Sequence, residues 1–176
     1  MSPTSYQLDG IKRKEFFTDV KVRRAMAHLV PVDEIIEVLM HGEGSRQVAQ
    51  LSHLKKNYND TLKLIQLDLE KAKQLLDLSG WIDTDENNVR DKIVNGEKLQ
   101  LSFELSYMSS AASKETALMI KESMWRAGVE VKPNPMDFTL FYKNAQEHDF
   151  DMMLGGWGGS ASYSNPYQLW HTSSWA

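Results

Sequence analysis

The sequence predicts an α/β domain, a mixed sheet flanked by helices. Three observations predict it. From residue 98 onward the elements alternate strand, helix, strand, helix, strand, the order that builds a sheet with right-handed crossovers. Two helical patterns stop at a glycine, Gly80 and Gly128, where the left-handed position costs glycine nothing. Polar and apolar residues alternate strictly from Lys98 to Glu104, the period of a strand. With 176 residues, 41% of them hydrophobic, the chain suits a single domain over 1–176 with its own core.

Tyr6 to Ile11 reads as a short strand. Val22, Ala25, Met26 and Leu29 share one helical face, with Thr18 or Asp19 as the cap that accepts from free first-turn amides. Pro31 ends that helix, because the residue before a proline avoids the α region. Val32, Ile35, Ile36 and Leu39 make a second helix, with Asp33 and Glu34 at its positive end and Gly42 and Gly44 after it. Residues 45–67 are polar with scattered leucines and give only an extended loop with a short strand. Asp68 caps the next helix, whose stripe is Leu69, Ala72, Leu76 and Ser79, and Trp81 packs back after Gly80. Asp83 to Asn95 reads as a polar turn. The strand from Lys98 puts Leu99, Leu101, Phe103 and Leu105 on one face. Ala117, Ile120, Met124 and Ala127 mark a helix, and Val129 and Val131 open a strand. Asn134-Pro135 is expected to cap and start the last helix, with Phe138, Phe141 and Tyr142 as its apolar face. Phe150 to Leu154 is a short strand.

Composition excludes several functions. The net charge is −4 and no basic run exists, which argues against nucleic-acid binding. Cysteine is absent, so disulfides, thiol catalysis and zinc–thiolate sites are excluded. No run of about 18 apolar residues exists to span a membrane as a helix. Met1-Ser2-Pro3-Thr4 lacks the basic start and apolar core of a signal peptide. The apolar cluster Leu169-Trp170-His171 with Trp175-Ala176 needs something to pack against, so both ends are expected to be cuts in a longer protein.

Most candidate sites are weak. Asp83-Thr84-Asp85-Glu86-Asn87-Asn88 begins like a calcium loop. Asn88 stands where that loop wants glycine, however, and Val94 where it wants a bidentate glutamate, so a solvated turn is expected. No two of His28, His41, His53, His148 and His171 have the i, i+4 spacing of a zinc site, and each is expected at the surface or as a cap. Ser160 and Ser162 follow glycines without forming a nucleophile elbow, and the glycine run lacks a P-loop ending. No metal, cofactor or catalytic residue is assigned.

The loop Gly155–Pro166 remains. It follows a strand, and ligands of open α/β sheets gather at strand carboxyl ends. Its glycines let a ligand approach the backbone. Trp157 and Tyr163 offer flat apolar faces with a polar handle. On the residues alone a second reading stands beside this one: a loop with Trp157 tucked into the core.

Four segments carry a family resemblance: FTDVKVRRAMAHLV with DEIIEVLMHGEG, DLEKAKQLLDLSGW with DTDENNVRDKIVNGEKLQL, ALMIKESMWRAGVEV with PMDFTLFYK, and HDFDMMLGGW with NPYQLWHTSS. In this order they resemble the extracytoplasmic solute-binding proteins of family 5, which serve peptide and nickel ABC importers. The resemblance implies a receptor of two lobes that close over a ligand, and it makes this chain the core of the second lobe, without the first. It implies a peptide or small-molecule ligand, an ABC permease as membrane partner and no catalysis. The location it implies is periplasmic or extracytoplasmic, with room for a lipid anchor on a segment outside the chain. It maps backbone ligand contacts onto Gly156, Trp157 and Gly158, with Ser160 and Tyr163 in the same loop. Peptide-binding members carry an aspartate three residues past that tryptophan, which pairs with the ligand's amino terminus. Ser160 stands there and supplies no charge, which leaves blocked or cyclic peptides, oligosaccharides and other solutes open. Pro31 replaces a family aspartate that caps the second helix. Two other classes compete: a ligand-sensing domain of a DNA-binding regulator, though no basic helix-turn-helix is present, and a hydrolase, though no nucleophile and base are paired by spacing.

Overall fold

The computed structural model describes residues 14–48, 58–59 and 61–156. Among them are α1 (Lys14–Phe17), α2 (Val20–Leu29), α3 (Val32–Leu39), α4 (Leu69–Asp77), β1 (Asp91–Val94), β2 (Glu97–Gln100), β3 (Ser102–Met108), α5 (Ala111–Trp125), β4 (Glu130–Met136), α6 (Phe138–Glu147) and β5 (Met152–Leu154). The strand expected over Tyr6–Ile11 and the cluster at Leu169–Ala176 lie outside the described residues.

The helices form where capping and periodicity place them. Asp19 caps α2 by accepting from the Lys21 amide at 2.8 Å, and Val22, Ala25, Met26 and Leu29 are all buried. Pro31 stands at the N-cap of α3 and makes no side-chain cap bond. Helix α3 stops at Leu39, and the left-handed turn falls on His41 and Gly42, whose amide reaches back to Ile36 O at 3.1 Å. Gly44 comes after that turn. It is packed so closely that a Cβ there would lie 3.0 Å from Met40 Sδ. Asp68 caps α4 through the Lys71 amide at 2.8 Å, and Ala72, Leu76 and Ser79 are buried. After Gly80 (φ +79°) the Trp81 amide returns to Leu76 O at 3.0 Å, and its indole is 1% exposed. The ring lies 5.6 Å from that of Phe16 on α1, a helix the sequence pattern did not predict, and Phe16 and Phe17 both pack on Phe103 of β3. These aromatics join α1, α4 and the sheet into one core.

The main sheet is parallel, in the order β4-β3-β5. Strand β3 is central: Phe103, Leu105 and Tyr107 are buried on one face, and Ser102 and Ser106 on the other, where Glu104 between them is exposed. Parallel connections are right-handed in nearly all folds, so α5 and α6, which carry the chain in opposite directions, lie on opposite faces of the sheet.

Four expectations need correction. The stretch Asp83–Asn95 is not all turn: its last part is β1, which pairs antiparallel with β2. The two are joined by Asn95 (φ +52°) and Gly96 (φ +85°), the positive angles of a two-residue hairpin turn. The alternation from Lys98 is not one strand but two. Leu101 is the junction, its amide bonded to Arg90 O at 2.7 Å and its carbonyl to the Glu130 amide at 3.0 Å. Asn134-Pro135 does not start a helix: both residues lie in β4, and Asp137 caps α6 through the Leu140 amide at 3.0 Å. Phe138 and Tyr142 are exposed, and Phe141 alone of that expected face is buried. The short strand expected within 45–67 is a separate matter: 45–48, 58–59 and 61–67 carry none, and 49–57 and 60 lie outside the described residues.

The prolines fit β4 for a geometric reason. The Glu130 amide bonds inward to β3, so with strand period two the even residues face β3 and the odd ones face outward. Pro133 and Pro135 are odd. Their missing N–H groups fall on the outer edge, where no bond of the described ladder is lost.

Candidate functional site

All three parallel strands end on one side of the sheet. From that side emerge Ser109-Ser110 after β3, Asp137 after β4 and Gly155-Gly156 after β5. Ser110 caps α5, accepting from the Ser113 amide at 3.1 Å, and Asp137 caps α6. Two helix N-termini and a glycine pair therefore share this end, and helix N-termini favour anionic or carbonyl oxygen. Strand β3 leads to β4 on one side, and β5 lies on the other. The chain order reverses between β3 and β5, the place where open α/β sheets bind ligands.

Gly155 and Gly156 are both exposed. Neither has a positive φ. A Cβ on Gly155 would touch the Phe141 ring tip at 3.7 Å, and one on Gly156 would meet nothing within 4 Å among the described residues. Among the described residues, neither contact nor backbone angle requires glycine at 156. Trp157, Gly158, Ser160 and Tyr163, the other expected ligand residues, lie outside the described residues.

A pair of rings that the sequence pattern gave as part of the apolar face of the last helix is exposed instead. Phe138 and Tyr142, on the amino-terminal half of α6, are 64% and 50% exposed, with ring centroids 4.8 Å apart. Phe138, Phe141 and Tyr142 are all helical neighbours at i, i+3 and i+4, so the spacing gives no cue to which rings the fold covers, and Phe141 alone is buried.

The calcium-like segment holds a cation of its own. Carboxylate oxygens of Asp83, Asp85 and Asp91 lie within 4.8 Å of one another. Lys98 Nζ sits 2.7 Å from Asp85 and 3.2 Å from Asp91. Asp83 accepts from the Asn87 and Asn88 amides at 3.2 and 2.9 Å, which closes the turn. The ammonium stands where a metal would. Burial acts to raise the Asp91 carboxyl, but the Thr84 amide and hydroxyl and then Lys98 outweigh it, and its pKa lies below the ordinary range. The bond to Asp85 holds the Lys98 ammonium above its usual value. Three histidines lie among the described residues. His28 bonds Gln66 O at 2.9 Å, His41 sits in the turn after α3, and His148 (φ +57°) ends α6. A groove of about 540 Å³ between α5 and the first half of β4, lined by Lys121, Trp125, Lys132 and Pro133, lies away from the carboxyl end.

Comparison with known proteins bears on the fold and the family. The chain is similar to the oligopeptide-binding protein AppA of Bacillus subtilis, solved in complex with a nonapeptide. The TM-score is 0.80 at 27% identity, over 90% of this chain and 32% of that one. A parallel sheet flanked by helices, superposing at that level, defines the periplasmic-binding-protein fold. Residues 4–176 match the family described as bacterial extracellular solute-binding proteins, family 5 Middle, and the chain belongs to that family. In sequence it is 26% identical to AppA of Bacillus subtilis (strain 168) over 166 residues, 92% of this chain and 30% of that protein. It is 29% identical to the nickel-binding periplasmic protein of Escherichia coli (strain K12) over 139 residues, 77% of this chain and 25% of that protein. The chain thus spans about a quarter to a third of the length of these relatives.

Proposed function

We propose that this chain is the second lobe of a longer extracytoplasmic receptor, and that the loop opening at Gly155-Gly156 contacts the main chain of a captured solute. The observation that carries the reading is Gly156. It is exposed at the topological switch point, and neither its backbone angle nor its surroundings among the described residues ask for glycine. A bare backbone there is explained by something that must come close to it. Phe138 and Tyr142 would wall the same site with apolar surface. Closure by the first lobe would complete the cleft, and the ligand's greater affinity for the closed form would present that form to an ABC permease. The lobe carries no catalysis in this reading. Its location in this reading is outside the cytoplasm.

A second reading concerns the ligand. Peptide-binding members place an aspartate where this chain has Ser160, and that change favours a solute without a free α-amino group. The native mass spectrum of the full-length parent, taken straight from purification, tests both. A retained peptide mass supports peptide capture, and a sugar or metal-complex mass supports the second reading. Spectra without any retained or added solute, across peptides, glycosides and metal chelates, would sink the receptor role.

A further inference from the structure

We propose that Asp151 is a positioning residue for the ligand loop: its carboxylate fixes the start of β5, and so the point at which Gly155 and Gly156 leave the sheet. The proposal rests on the loop's role given above. Strand β5 is only three residues long and pairs with Leu105–Tyr107, whereas β4 pairs along all seven residues of β3. The strand that delivers the loop is therefore the one with fewest rungs.

The amides of β3 are divided between its neighbours. Ser109 N bonds Met136 O of β4 at 2.9 Å, so odd-numbered amides face β4 and even-numbered ones face β5. The Glu104 amide faces β5 one residue before main-chain pairing begins, since Leu105 is level with Met152. At that place the acceptor is the Asp151 carboxylate, with Oδ2 2.9 Å from Glu104 N. A side chain adds a rung where the main chain of β5 has not yet begun. Glu104 is itself held from the other side, its carboxylate accepting from Asn134 Nδ2 of β4 at 2.8 Å. Asp151, Glu104 and Asn134 thus tie the three strands together. A bond to an ionised acceptor is stronger than a neutral one, and here it adds to only three residue pairs. A binding loop loses affinity when its support lets it wander by about 1 Å.

The test uses the full-length parent with Asp151→Leu, which removes the acceptor, and Asp151→Asn, which keeps one. Amide hydrogen exchange without ligand is read first. Asp151→Leu should raise exchange at Glu104 and over Met152–Gly156 about tenfold or more, with α2 and α4 unchanged, and Asp151→Asn should restore most of the protection. Affinity for a pool of random nonapeptides should fall about tenfold with Asp151→Leu and recover with Asp151→Asn. Unchanged local exchange, a rise everywhere in the fold, or an asparagine variant as loose as the leucine one would overturn the proposal. If the wild-type parent ignores the nonapeptides, peptide capture fails instead, and the exchange data alone decide the role of Asp151.

Discussion

The guanidinium of Arg90 donates to the carbonyl of Ala127 at 2.7 Å, and so reaches the negative end of α5 from a segment 37 residues earlier. The same side chain bonds Trp81 O at 2.6 Å and pairs with Asp77 at the end of α4. Its Cγ lies so close to Gly128 that a Cβ there would come within 2.9 Å. One planar cation thus satisfies carbonyls after two helices, where positive charge is favoured.

Replacing Arg90 with alanine should therefore cost more than a surface ion pair does. It orphans the carbonyls of Trp81 and Ala127, and bonds to charged donors are worth about 1.5–3 kcal/mol each. A loss on the order of 3 kcal/mol is expected from urea unfolding. A loss below about 0.5 kcal/mol would show that water replaces the guanidinium without penalty.

Trp81→Ala should cost about 3–5 kcal/mol, because the ring is fully buried against Phe16 and leaves a cavity. Ligand affinity of the parent should stay near wild type, since Trp81 lies in the core. A large drop in affinity at unchanged stability would contradict that placement.

Gly156→Ala should behave in the opposite way. Stability should change by no more than about 0.5 kcal/mol, as the new methyl meets no described residue within 4 Å. Affinity of the full-length parent should weaken. Titration calorimetry beside thermal melting separates the two, and unaltered affinity would remove Gly156 from the contact surface.

Acid should destabilise the fold partly through Asp91. Its pKa in the folded state lies below the ordinary 3.8, so the stabilisation is complete above about pH 5 and is lost as pH falls through the depressed value. Asp91→Asn should flatten the loss of stability between about pH 5 and 3. Parallel acid-unfolding curves for variant and wild type would show that other carboxyls control this limb.

Pro135→Val should restore an outward N–H on the edge of β4. An edge that can donate is a template for pairing with another chain. Light scattering on incubation should rise relative to wild type, and an unchanged signal would mean that Pro133 alone protects the edge.

Much of this architecture was legible in residue order. Asp19, Asp68, Gly80 and Gly128 announced where helices begin and stop, because caps and left-handed turns are local chemistry. Of the glycine loop, Gly155 and Gly156 follow β5 as the residue order indicated. What failed depended on neighbours. Asn95-Gly96 carried a hairpin signal that the surrounding charges obscured. Leu101 fits an unbroken alternation, and only its two hydrogen-bond partners divide it between sheets. Asn134-Pro135 has the composition of a helix start, and becomes strand because β4 is the edge of the sheet among the described residues, where outward amides have no partner to lose. Phe138 and Tyr142 are apolar by type but lie where the fold leaves rings uncovered.

Leu101 also sets how the molecule comes apart. Its amide is held by Arg90 and its carbonyl by Glu130, while the Arg90 amide is held by Gly128. Peeling away the hairpin would strip a buried amide of its acceptor and loosen Gly128, two residues before β4, in the same motion. The hairpin and the parallel sheet therefore form one cooperative unfolding unit, and the exposed Asn95-Gly96 tip is its fraying end.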